Sequence, residues 1–235
     1  MIETFAALFF AHALADFVLQ TGWMAARKRQ FGVLLFHTAI VLVTAQLATG
    51  HVASGSILLL ASAHLAIDVA KAWLGRGGLA PFLWDQAAHL VTIGAVAWAV
   101  PGLWDAGLWA EMDGLPTLML LIGGAIFAIR AGGYAVGLLV TPLATDDVAP
   151  GLPKAGQIIG QLERAILYLL VLVGEPTAVG FLIAAKSILR FDSAKDSRTA
   201  EYVIVGTLAS FAWALAVAYA VRALLAHLPP LEFLS

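Results

Sequence analysis

The 235-residue chain has no cysteine, which removes disulfides, thiolate metal sites and a cysteine nucleophile from consideration. Charge is also scarce. Asp, Glu, Lys and Arg make up 12% of the chain, about half of the roughly 25% found in soluble domains. The formal charge of −2 gives no basis for binding a polyanion, so nucleic acid is excluded as a partner. There is no G-x-S-x-G elbow, phosphate-cradling glycine loop or H-E-x-x-H helix, so the familiar local signatures of serine hydrolases, P-loop enzymes and zincins are missing. Ser62 stands two residues before His64, a spacing that points the two side chains to different faces of a helix.

What fills the chain instead is apolar sequence. Hydrophobic residues reach 61%, the mean hydropathy is +0.92, and the excess falls in blocks near the ~20 residues that cross a bilayer as a helix. The blocks predict helices at 3–24, 32–50, 53–74, 82–101, 116–141, 156–174, 177–191 and 199–226. Glycine and proline punctuate them at Gly50, Gly77-Gly78, Pro101-Gly102, Pro142, Ala149–Pro153 and Glu175-Pro176. The expected fold is an all-α, polytopic membrane bundle of about eight helices, the seventh short enough to be broken or re-entrant.

If eight spans alternate, ten of the thirteen Lys and Arg residues fall on one side, and the loops of the other side carry none. That bias puts the basic loops in the cytoplasm and both termini outside, in an inner membrane. Trp104 and Trp109, in the acidic loop before the fifth span, are expected to anchor a short helix lying in the outer interface.

Ala11–Phe17 and Ala63–Val69 share the form A-H-x-x-x-D, 52 positions apart, and His37 and His89 each follow the repeat histidine by 25 residues. Two helical hairpins, about 1–52 and 53–104, thus carry one polar triple in register. Because both start on the same side, this is a parallel duplication. Residues 1–101 form the His/Asp-bearing half, and 116–226 form a basic half that completes one membrane domain.

The i,i+4 spacing stacks His12 over Asp16 and His64 over Asp68, and Asp85 and His89 repeat it in reverse order. At 1.5 Å per residue, Asp16, His37, Asp68 and His89 fall about 9–12 Å from the cytoplasmic ends of their helices, in one layer. Ionisable groups in hydrocarbon cost ~2.5–3.5 kcal/mol on insertion scales, so seven of them need partners. Imidazole with carboxylate is a ligand set for a divalent transition metal, zinc first and Mn or Fe as alternatives. His12, Asp16, His37, His64, Asp68 and His89 are the expected ligands of one or two ions, with Asp85 as bridge or general base. The competing readings are a proton relay and a hydrogen-bonded network that only glues helices. His51 and His227 are expected to be solvated.

The second half buries cations. Arg130, Arg164, Lys186 and Arg190 are expected to hold the anionic group of a substrate, although snorkelling to the interface explains Lys186 and Arg190 as well. Gly123-Gly124 and Gly132-Gly133 permit close helix approach.

The motifs His12-x-x-x-Asp16-Phe17-x-Leu19-Gln20, His64-x-x-x-Asp68 and Trp84-Asp85-Gln86-x-x-His89, with Lys186-Ser187-x-x-Arg190 and Glu201-Tyr202, resemble an uncharacterised bacterial inner-membrane family, a domain of unknown function. More distantly, the His/Asp helices resemble small membrane-bound, metal-dependent hydrolases, without the closely spaced His-Arg pair of those enzymes. That analogy, with the metal layer, implies hydrolysis of a lipid-linked phosphate or other amphiphilic ester at the cytoplasmic leaflet. The alternatives are a secondary transporter or metal/proton permease, and a non-catalytic scaffold. The oligomeric state, including a homo-oligomer, is left open.

Overall fold

The computed structural model describes residues 1–74, 77–143, 155–191 and 197–231, with backbone alone at 74, 187–191 and 197–200. Arg76, Lys154, Lys195 and the 149–153 punctuation lie outside the described residues. The described chain is helical: α1 (Ile2–Leu14), α2 (Gly22–Ala25), α3 (Phe31–Thr49), α4 (Gly55–Leu74), α5 (Leu79–Ala99), α6 (Leu115–Ile126), α7 (Gly132–Val140), α8 (Ala155–Leu172), α9 (Pro176–Phe191) and α10 (Ser197–Leu225). The all-α expectation therefore holds, and the apolar blocks mark the long helices to within a few residues.

Among the described residues, six helical runs are long and apolar enough to cross a membrane: Ile2–Leu19, Phe31–Thr49, Gly55–Trp73, Leu115–Leu143, Ala155–Leu172 and Glu201–Leu225. This is consistent with a membrane protein. The long helix α5 is not among them, because Trp84, Asp85, Gln86 and His89 dilute its apolar sequence; α9 qualifies only as a shorter apolar stretch, Pro176–Lys186.

Two helical runs are interrupted by π-helical turns, at Ala15–Leu19 after α1 and at Phe127–Ala131 between α6 and α7. Such wide turns recur at functional sites. The first contains Asp16 and ends the first span earlier than expected. Gln20 turns extended, and Thr21 caps α2 by accepting a hydrogen bond from Met24 N.

The chain forms two compact units, residues 1–126 with 223–235, and residues 127–222. In the first unit α1 packs against α3, α5 and α6, and α3 and α4 form a pair. The first unit thus extends past the duplicated hairpins to include α6. A Cβ on Gly123 would meet Phe10 Cα at 3.0 Å, so glycine sets the close approach of α6 to α1. The core of this unit is small and tight, built from Ala7, Leu8, Ala11, Ala45, Ile57 and Ile93 with Leu103 and Trp104.

The loop 104–114 corrects one expectation. It is a series of turns, not a flat helix, and Trp104 is buried in the core instead of anchoring at an interface. Its position follows from Thr4, whose hydroxyl donates to Pro101 O and accepts from Trp104 N. Trp109 is partly exposed but donates its indole N–H to Leu47 O at 2.7 Å. Gly50 closes α3 in the left-handed region (φ 71°) and accepts from Leu108 N. Gly107 lies so close that a Cβ would stand 2.0 Å from Thr49 O.

In the second unit, α8 packs on the π-helical turn and on α7, and α9 packs on α8. Phe127 O accepts from Trp213 Nε1 at 3.1 Å. Arg222, in the last turn of α10, donates to Val171 O near the end of α8 and so caps that helix.

Candidate metal centre

The first unit brings all seven predicted polar residues together. His12, Asp16, His37, His64, Asp68, Asp85 and His89 are buried, none more than 9% exposed. The i,i+4 pairs lie on α1 and its π-helical turn, on α4 and on α5, while α3 contributes His37 alone.

Four donors converge most closely. His37 Nε2 is 3.2 Å from Asp16 Oδ1, 3.6 Å from Asp68 Oδ2 and 3.3 Å from His64 Nε2. His64 Nε2 is 3.6 Å from both Asp16 Oδ1 and Asp68 Oδ2. A tetrahedral ion with bonds of about 2.0–2.2 Å separates its ligands by about 3.3–3.6 Å. Asp16, His37 and His64 thus form a set whose donors all lie within 4.8 Å of one another, Asp68 adds the edges to His37 and His64, and the four come equally from the two hairpins. The N2O2 set fits a borderline cation such as zinc.

The remaining predicted ligands stand next to this quartet. The rings of His64 and His89 stack with centroids 4.1 Å apart, and His12 lies 5.0 Å from His89. Donor atoms of His12, His64 and His89 lie within 4.8 Å of one another, and so do those of Asp68, Asp85 and His89. His12, His64 and His89 border a small cavity, about 20 Å³, otherwise lined by apolar side chains and Thr92. That is room for one water.

Two lysines enter the layer. Lys28 Nζ donates to both oxygens of Asp68, at 2.9 and 3.0 Å. Lys71 Nζ donates to Asp85 Oδ2 at 2.5 Å, and Gln86 Nε2 reaches the same oxygen at 3.0 Å. These ammonium groups neutralise two of the three carboxylates. Reading Lys28 and Lys71 as positive-inside residues misses this role. Their partners are 40 and 14 positions away, and no local spacing signals such pairs.

Asp16 differs. Among the described residues it has no Lys or Arg partner; its Oδ1 faces His37, His64 and, at 3.9 Å, His12 Nδ1, yet makes no aligned hydrogen bond. A buried polar atom left so is costly unless something else meets it. His12 Nδ1, His37 Nδ1, Asp85 Oδ1 and His89 Nε2 are buried without a hydrogen bond as well.

The four cations predicted to bind an anion behave differently. Arg164 is buried; its Nε donates to Ile129 O at 3.1 Å and a terminal nitrogen donates to Ser210 Oγ at 3.0 Å. Gly132, Gly133 and Gly160 make room for its side chain. Lys186 pairs with Glu163 and lies over the Phe211 ring. Arg130, expected deep in its span, is exposed instead. Phe127, Ala128 and Ala131 take the buried side of the π-helical turn and leave Arg130 the other. Arg190 falls in the last turn of α9, outside the described side chains. Arg164 and Lys186 thus spend their donors on separate protein partners. His51 bonds Thr49 through Nδ1, and His227 is exposed.

An all-helical chain with six candidate membrane spans and a buried His/Asp layer is the class that these observations define. Residues 4–107 match the model of a family described as a protein of unknown function (DUF3307). The match encloses the duplicated hairpins and all seven residues of the layer, and stops short of the second unit. No curated protein and no solved structure matches the chain.

Proposed function

We propose that this protein is a membrane-embedded, metal-dependent hydrolase whose ion is held by Asp16, His37, His64 and Asp68. One observation carries the reading: the buried Asp16 Oδ1, which makes no hydrogen bond, faces imidazole nitrogens at ligand-to-ligand distances. Zinc suits the donor set, with Mn or Fe as alternatives. The bound metal would polarise a phosphoryl oxygen and lower the pKa of a bound water. The chain's own groups position it. Lys28 fixes the Asp68 carboxylate, and Gln86 holds His12 Nε2 at 3.3 Å. Such outer partners orient ligands and tune affinity.

The substrate class follows from location and charge. A hydrolytic centre inside a helical bundle meets substrates with apolar tails, and a cationic centre favours phosphate, so a lipid-linked phosphate is the proposed substrate. With Arg164 and Lys186 engaged elsewhere, the phosphate's charge is assigned to the metal. The proposed setting is a bacterial inner membrane, with α5 and α9 completing eight spans, basic loops in the cytoplasm and both termini outside. Nucleic acid has no part in this reading, and self-association is compatible with it.

The test is release of inorganic phosphate from a polyprenyl monophosphate in nanodiscs. Zinc-loaded protein should turn over without any gradient, and EDTA treatment or His64→Ala should abolish the activity. Zinc-replete protein that releases no phosphate, but carries zinc across proteoliposomes down a gradient, would make it a permease. The lysines already paired with Asp68 and Asp85 favour this second reading, because they can replace a departing cation.

A further inference from the structure

We infer that the layer holds two divalent ions, with the carboxylate of Asp68 shared between them; this deepens the metal-enzyme reading and rests on it. Among the described residues, four of the six buried side-chain atoms without a hydrogen bond sort into two places. Asp16 Oδ1 and His12 Nδ1, 3.9 Å apart, face the quartet. Asp85 Oδ1 and His89 Nε2, 3.6 Å apart, face each other on α5. Both members of this second pair are at least nine-tenths buried, and neither makes a hydrogen bond.

A cation beside Asp85 and His89 meets a third donor in Asp68, whose carboxylate lies within 4.8 Å of the donor atoms of both. Asp68 also supplies an edge of the first polyhedron, toward His37 and His64. It is the one carboxylate common to both sets, which makes Asp68 the bridge and Asp85 a terminal ligand. Bridged ions in hydrolytic centres stand about 3.5–4 Å apart, a span one carboxylate covers. Lys71 and Gln86 hold the other oxygen of Asp85, which leaves Oδ1 free to point at the ion.

Charge identifies what joins the pair. Three carboxylates and two lysines leave one net negative charge, to which imidazoles add none because they bind a metal in their neutral form. Two dications turn that into three positive charges. A hydroxide and a phosphate-monoester dianion cancel them, so the substrate class narrows to phosphomonoesters. The cavity beside His12, His64 and His89 has room for the water that becomes the hydroxide.

The deciding experiment is zinc stoichiometry of the full chain in detergent, stripped with EDTA, reloaded with zinc and desalted. Wild type should hold two zinc ions per chain, and Asp85→Asn and His89→Ala should each hold one. Loading with Mn(II) should give the halved hyperfine spacing of a coupled pair by electron paramagnetic resonance, and the Asp85→Asn spectrum should be that of an isolated ion. One zinc per chain in wild type, with no coupled spectrum, overturns the two-ion centre and leaves the single-ion hydrolase standing. No zinc at all overturns both. Should the variants fail to fold, the wild-type count and spectrum decide alone.

Discussion

Asp16→Asn is expected to change stability with opposite sign in the presence and absence of metal. Asp16 is a buried carboxylate with no ammonium partner among the described residues. A charge in such a place costs ~2.5–3.5 kcal/mol on insertion scales. In EDTA, replacing the carboxylate with a neutral amide of the same shape should therefore raise stability by about 2 kcal/mol. For a chain of this length, that is a rise of roughly 4–8 °C in Tm. Zinc at a thousand times its Kd should stabilise wild type by about 4.1 kcal/mol, because only the folded layer binds it. This corresponds to roughly 8–16 °C. The variant loses a ligand and should gain little from zinc, so the ranking reverses between the two conditions. The assay is thermal unfolding of purified protein in detergent, with EDTA and with a zinc titration. If wild type gains nothing from zinc, or Asp16→Asn is less stable in EDTA, the uncompensated-carboxylate argument is refuted.

Gly107→Ala should cost about 1–3 kcal/mol, because its Cβ would press on the Thr49 carbonyl 2.0 Å away and only a backbone shift can relieve it. Differential scanning fluorimetry, with a red shift as Trp109 leaves Leu47 O, would register the loss, and an unchanged Tm would contradict the close approach. Arg164→Lys should cost about 1.5–3 kcal/mol, since one ammonium cannot span Ile129 O and Ser210 Oγ as the guanidinium does. Its zinc content should stay at the wild-type value by elemental analysis; zinc loss at wild-type Tm would return Arg164 to the metal layer.

The helices and the polar layer were legible because both rest on short-range regularities. Apolar blocks mark spans, i,i+4 pairs mark shared faces, and helix rise sets depth, so the sequence alone places the seven His and Asp residues together. What escaped depends on contacts that no local pattern encodes. Lys28 and Lys71 read as loop charges because their carboxylates sit on other helices. The π-helical turns at Ala15–Leu19 and Phe127–Ala131 lie in ordinary helix-forming sequence, and the second decides that Arg130 faces outward. Trp104 had the composition of an interfacial residue, and a single hydroxyl, Thr4, ties its backbone into the core. The division at Ile126 cuts a continuous apolar block, which hydropathy alone reads as one span.

The equal split of the quartet between hairpins has a consequence for biogenesis. Asp16, on the π-helical turn after α1, and His37, on α3, leave the ribosome ahead of His64 and Asp68 on α4. During that interval Asp16 has His12 and His37 but not His64, and Lys28 has no Asp68 to meet. Stable lodging of the first hairpin must wait for α4, so insertion machinery or shallow residence near headgroups has to shelter it. A nascent chain stopped at Thr49 should be cleared by quality-control proteolysis, whereas one released after Ala99 has every member of the layer and can settle.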